Sequence, residues 1–232
     1  MNQVPIAEQL KIIKQHFPKV KIVLPKNLPT LPTVAEDLAL LPHWTLVGKT
    51  YPKAVQKVLD ALKKSCPFYN WREGQIDEKH LRESPLKKPI PLVLPVQTGS
   101  RWKGESVKTV REKAHQHEIL LGAYEVGMIL LTHPDRLTKY EDLWIDCPGD
   151  EFIPDGDGRF DVAPFFHFRG DELRFGSYWF GGADVDYGSA SGFLPQSDSG
   201  TLEPLGSFDS SILDRLEKLE QFKTSVEKIL KL

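Results

Sequence analysis

Apolar residues recur at helical spacing in the first two thirds of the chain and at alternate spacing toward the C-terminal third. Ile6, Leu10, Ile13 and Phe17 step by four, three and four positions, one stripe of a helix that Pro18 closes. In "TYPKAVQKVLDALKKS", Val55, Val58, Leu59 and Leu62 share a face, Thr50 is placed to cap, and Pro52 is tolerated in the first turn. "GESVKTVREKAHQHE" turns Val107, Val110 and Ala114 inward. "GAYEVGMILLTHPDRL" does the same with Val126, Ile129 and Leu130 before Pro134 stops it. Thr33 and Glu36 fit a capping box that opens a helix over "VAEDLALL", and the charged stretch 77–84 reads as a short surface helix.

Short strands are expected at "KVKIVLP", "HWTLVG" and "CPFYNW". "KKPIPLVLP" is apolar but flanked by prolines, which suits an edge or terminal strand rather than a central one. Beyond Tyr140 comes the strand "LWIDCPG" and then the hairpin "PFFHFRGDELRFGSYWF". A two-residue turn at Gly170–Asp171, of type II′, pairs Arg169 with Glu172, Phe168 with Leu173, His167 with Arg174 and Phe166 with Phe175. One face then carries Phe166, Phe168, Leu173 and Phe175, and the other is read as solvated. "FGGADVDYGSASGFLP" reads as a loop or irregular strand, and "PQSDSGTLEPLGSFDSS" as a linker.

These elements predict an α+β protein: helices and short strands, then an antiparallel aromatic hairpin or sheet, then a C-terminal helix. Residues 1–195 form a single α+β domain with a subdivision near 140, residues 196–210 the linker, and residues 211–232 an amphipathic helix. In that helix Leu213, Leu216, Leu219, Phe222, Val226, Ile229 and Leu230 make one broad stripe. It can dock on the domain or pair with a second copy as a homodimer.

Composition narrows the function classes. The chain has 232 residues, 40% apolar and 27% charged, with a net charge of −2 that hides an asymmetry. Residues 1–140 hold 22 Lys/Arg against 13 Asp/Glu, whereas residues 141–200 hold 3 against 13. The acidic segment would repel phosphates, so nucleic acid is not the expected partner. No window is apolar enough to span a membrane, and the N-terminal stretch has charges every few residues in place of a signal peptide's apolar run. Cys66 and Cys147 have no metal-ligand spacing and fit a reduced cytoplasmic protein.

Two groups of residues could carry chemistry. In "PDGDGRFD", Asp155, Asp157 and Asp161 have the spacing with which a short loop wraps calcium or another divalent cation. Asp146, Asp150 and Glu151 are the carboxylates that would complete such a site. The alternative is a glycine-rich turn whose aspartates cap their own backbone. The second group is Trp144, Tyr178, Trp179 and Tyr187 with Asp146, Asp184 and Asp186. Aromatic walls with convergent carboxylates suit a small polar or cationic ligand, or a protein partner. Against these stand several near misses. "GSASG" has Ala190 where a nucleophile elbow needs serine, "VGKT" lacks the upstream glycine of a phosphate loop, and His115 and His117 point to different helix faces.

The order "YEVGMILLTHPDRL", "DLWIDCPGDEF", an aromatic hairpin and "YGSASGF" resembles an uncharacterised bacterial family, a domain of unknown function. In that family a helix of the type "EGIALLTHxPEVL" precedes a "DLPGS" segment, an aromatic hairpin and a terminal "GSAS". The resemblance covers about residues 120–193. This chain has Glu125–Val126–Gly127 for the family's Glu-Gly, and "GDEF" for its small polar residues. The family has no assigned activity, so the resemblance supplies no catalytic residues and implies only that 120–193 fold as one unit. The expected function is a non-catalytic binding or interaction protein using the acidic-aromatic segment. The alternative is a metal-dependent hydrolase built on the clustered carboxylates.

Overall fold

The computed structural model describes residues 2–154 and 159–194, which belong to a compact unit spanning Met1–Pro195. The linker and the amphipathic helix expected over 196–232 lie outside the described residues, as do Asp155 and Asp157. In chain order the elements are α1 (Ile6–His16), β1 (Asp37–Leu40), α2 (Tyr51–Ser65), β2 (Phe68–Asn70), β3 (Leu81–Glu83), β4 (Val93–Thr98) and α3 (Val107–Lys113). They continue with β5 (Glu118–Leu120), α4 (Ala123–Thr132), β6 (Trp144–Asp146), β7 (Asp150–Phe152), β8 (Val162–Arg169), β9 (Glu172–Trp179) and β10 (Tyr187–Phe193). The class is α+β, with four helices against a ten-stranded sheet among the described residues. None of the described helices is long and apolar enough to cross a membrane.

The sheet runs β1-β4-β10-β6-β8-β7-β3, with β5 also on β10 and β9 joining β8 to β2. All pairings are antiparallel except β10 with β6 and β2 with β9. One face is the core. Ile145, Phe166, Phe175 and Ala190 are fully buried there, together with Val55, Val58 and Leu62 of α2 and Val126, Ile129 and Leu130 of α4. Gly127 lets α4 sit directly on Val58, since an added Cβ would strike that side chain. The hairpin pairs in the expected register from Phe166↔Phe175 to Arg169↔Glu172. Its turn is type I′, because Gly170 (φ 63°) and Asp171 (φ 60°) are both left-handed.

Several sequence expectations are corrected. "VAEDLALL" is not a helix: Asp37–Leu40 is β1, paired with β4, and the Asp37 carboxylate receives Val4 N–H and pairs with His133 at 2.9 Å. "KVKIVLP" forms no strand among the described residues, and "HWTLVG" forms a single 3-10 turn over Trp44–Leu46. The stretch 77–84 supplies β3 rather than a helix. β4 is central and buried throughout despite Pro95. The β10 pairing stops at Val96, so the missing proline N–H interrupts no ladder bond on that side. The largest revision is "YGSASGF", which is a central strand.

Small residues in β10 serve close packing. A Cβ on Gly188 would collide with the carbonyl of Gly99, itself at φ +120°, and one on Gly192 would enter Leu94. Gly188→Ala therefore cannot be absorbed by a rotamer change, because the obstacle is backbone. It is expected to cost at least about 1–3 kcal/mol, read as a lower denaturant midpoint at unchanged slope.

Candidate functional site

Alternation in the strands puts a second set of side chains on the sheet face opposite the core. Trp144 and Asp146 of β6 flank the core residue Ile145. β10 places Tyr187 beside Trp144 and Ser189 beside Asp146. β8 places Phe165 opposite Asp146, and β9 adds Arg174, Gly176 and Tyr178. The rings form a continuous array. Trp144 stands 6.0 Å from Phe165 with near-parallel planes, 4.3 Å from His167 and 4.8 Å from Tyr187, and Tyr187 stacks on Tyr178 at 6.3 Å. Gly176 makes room for this array, since a Cβ there would press on the Phe165 and Trp71 rings. The turn over Ser100–Trp102 and α3 run along the same side, with Gly104 N–H donating to Tyr187 O and Lys108 N–H to Phe180 O.

Asp146 is the unusual member. Five carboxyl side chains are buried among the described residues: Asp37, Glu118, Glu125, Asp146 and Asp150. Asp37 is engaged by Val4 N–H, Leu38 N–H and His133, and Glu118 by the Trp102 indole, Ser191 and Arg101. Glu125 takes Gly122 N–H and Lys87, and Asp150 takes the Tyr51 hydroxyl and Ala123 N–H. The Asp146 carboxyl, on a residue 8% exposed, makes no hydrogen bond or ion pair among the described residues. Burial without a counter-charge pushes its carboxyl up to about 7. Its surroundings share the deficit, for Ser189 Oγ, Trp144 Nε1 and both His167 ring nitrogens are buried and unpartnered. Burial, with Arg174 and Arg169 nearby, pulls the His167 imidazole down to about 4, so the ring is neutral at pH 7. Burial and the Asp146 carboxylate push the Tyr187 hydroxyl upward. No hydrogen bond links Asp146, His167 and Ser189, so they do not form a nucleophilic triad.

Of the residues singled out by sequence, Trp144, Asp146, Tyr178 and Tyr187 come together. Asp184 and Asp186 lie on the exposed turn before β10, where Asp184 accepts Asp186 N–H, and form a rim. Trp179 falls on the other face of β9 and is 57% exposed. Phe165, His167 and Ser189 were missed. The hairpin register puts His167 across from Arg174 on the face expected to be solvated, and Ser189 falls in the stretch expected to be a loop or irregular strand.

The carboxylates proposed to complete a metal loop are dispersed. Asp150 and Glu151 leave β7 on opposite faces, Asp150 toward Tyr51 and Glu151 to Arg82 at 2.6 Å. Asp161 gives its backbone carbonyl to Phe180 N–H. Among the described residues no group of three or more His, Cys, Asp or Glu could hold a metal ion.

A separate polar centre ties the helices to the sheet. The Tyr51 hydroxyl, at the start of α2, sits 2.6 and 2.7 Å from the two Asp150 oxygens, and Ala123 N–H at the start of α4 donates to Asp150 at 2.7 Å. Lys87 pairs with Glu125 at 2.8 Å and Glu83 at 3.1 Å, and lies 3.9 Å from Asp150. Desolvation works against the Lys87 charge, but three carboxylates outweigh it and its ammonium is held above the usual lysine range. Asp150 moves the other way from a simple ion pair. Its burial, with Glu125 alongside, outweighs the single ammonium and pushes it up to about 7. Every group here is partnered, as expected of a structural clasp at two helix N-termini.

Comparison of the chain with protein-family models, with curated proteins and with solved structures found no match.

Proposed function

We propose that this chain is a cytoplasmic, non-catalytic binding protein whose ligand, a small polar or cationic molecule, sits on the aromatic face around Asp146. The observation that supports this reading is the contrast among the buried carboxyls: four are saturated by the fold and Asp146 is left open beside an unpartnered hydroxyl and indole. An unpaired buried polar group costs stability, and a bound partner is one means of recovering it. The Trp144, Phe165 and Tyr187 rings on the same face add the apolar and π surface that small-molecule sites use. The two free thiols, Cys66 and Cys147, fit a reducing compartment.

The test is thermal melting of the full chain against amines, amino acids, sugars and nucleosides, for wild type, Trp144→Ala and Asp146→Asn. A ligand at about a hundred times its Kd should add about 2.7 kcal/mol, a rise in Tm that both variants lose. Ligands that stabilise all three proteins equally would place binding elsewhere. A compound consumed by wild type but not by Asp146→Asn would show an enzyme instead.

A further inference from the structure

The chemistry of the groups around Asp146 selects among ligands. Charge comes first. No guanidinium offsets the Asp146 carboxyl: Arg111 donates to the Pro148 and Asp150 carbonyls, and Arg174 pairs with Glu172 at 2.9 Å. His167 stays neutral, and the rim adds Asp184 and Asp186. Asp146 itself therefore meets no counter-charge, which disfavours an anion there. A neutral sugar would leave the buried carboxylate without a counter-charge.

Shape and donor count come next. Asp146 keeps only 8% of its surface, so whatever reaches it is slender. That disfavours a tetraalkylammonium head and a planar guanidinium. A divalent cation needs several more oxygen ligands than one carboxylate and one hydroxyl supply. An ammonium needs acceptors close together, and the register of β6 with β10 puts the Ser189 hydroxyl on the same face beside the Asp146 carboxylate. The remaining boundary is aromatic, in Trp144, Phe165 and Tyr187, which suits a cation on its methylene stem.

We infer that the group recognised at this face is a primary ammonium on an unbranched carbon chain, held by the Asp146 carboxylate and the Ser189 hydroxyl against the edge of the Trp144 and Tyr187 ring array. This rests on the binding function proposed above and specifies its ligand. The same chemistry is offered by a free alkylamine and by a lysine side chain.

The experiment follows the indole N–H of Trp144 in the 15N-labelled full chain, assigned by its loss in Trp144→Phe. Butylammonium chloride, N-acetyl-lysine amide, tetramethylammonium chloride and glucose are titrated separately at ionic strength matched with sodium chloride. Butylammonium is expected to shift the signal saturably, tetramethylammonium and glucose to leave it unmoved, and Asp146→Asn to weaken butylammonium binding at least about tenfold. Tighter binding of the lysine amide than of butylammonium would assign the group to a peptide, and the reverse to a free amine; both support the ammonium. Saturable binding of glucose without butylammonium would overturn the ligand class while leaving the site. Equal butylammonium binding to wild type and Asp146→Asn would overturn the role of Asp146. If no cation shifts Trp144, the inference fails; if the melting panel is also silent there, the binding function fails with it.

Discussion

Lys87→Met is expected to destabilise the protein by about 3–5 kcal/mol at pH 8, the usual cost of removing one partner from a buried ion pair. The Lys87 side chain is 4% exposed, and its ammonium lies 4.6 Å from the Tyr51 ring centre and is the counter-charge for Glu125 and, further off, Asp150. Methionine keeps much of the stem's volume, so the loss reports charge rather than a cavity. Both carboxylates are held at the N-terminus of α4, through Gly122 N–H and Ala123 N–H, and cannot swing out to water without releasing that helix. Asp150 can instead take a proton, since its carboxyl already stands at about 7. The cost should therefore shrink toward pH 5, and adding Glu125→Gln to Lys87→Met should recover part of it. Urea unfolding of the single and double variants at the two pH values reads both effects. An equal, small loss at both pH values would mean that Lys87 is not the counter-charge.

Asp146→Asn is expected to act in the opposite direction. The folded-state carboxyl is raised to about 7, above an unfolded value of about 4. The folded state therefore prefers the protonated form. Its contribution to stability is fully present below pH 4 and is lost as the pH rises through 7. A displacement of that size corresponds to roughly 3–4 kcal/mol between the two limits. Asparagine cannot ionise, so the variant escapes the loss. The quantity to measure is the difference in unfolding free energy between variant and wild type, because other titrating groups cancel in it. That difference should favour the variant by about 1 kcal/mol at pH 5 and by about 4 kcal/mol at pH 8. A flat difference across that range would mean that Asp146 ionises as freely folded as unfolded.

Some of this was legible in the sequence because a short-range constraint decided it. Fixing a two-residue turn at Gly170–Asp171 fixes every pair up to Phe166↔Phe175, whichever primed turn is used. The stripes of α1 and α2 were equally local, and Ile13, Val55, Val58, Leu59 and Leu62 are all buried. Elements that depend on distant partners were not legible. "DLALL" has a spacing that fits a helix or a strand, and what settles it is β4, with His133 waiting for Asp37. β10 has almost no hydrophobic alternation, because its small residues are dictated by Gly99 and Leu94, far away in sequence. The site divides along the same line. Trp144, Asp146, Tyr178 and Tyr187 were found because they are conspicuous residues in one stretch. His167 and Ser189 were not, since their burial comes from β6, β8 and β10 meeting. Asp184, Asp186 and Trp179 were drawn in by proximity in sequence, which an alternating strand and an exposed turn do not respect.

A carboxyl left open for a ligand should report that ligand in its own titration. The protein is labelled with 13C at the aspartate carboxyl carbons, the Asp146 resonance is assigned by its loss in Asp146→Asn, and its shift is followed from pH 3 to 9 with and without butylammonium. The expected midpoint is about 7 in the free protein, falling toward the usual carboxylate range as the amine saturates, because a bound cation favours the ionised form. A midpoint of about 4 in the free protein, or one near neutrality that the amine leaves in place, would contradict it.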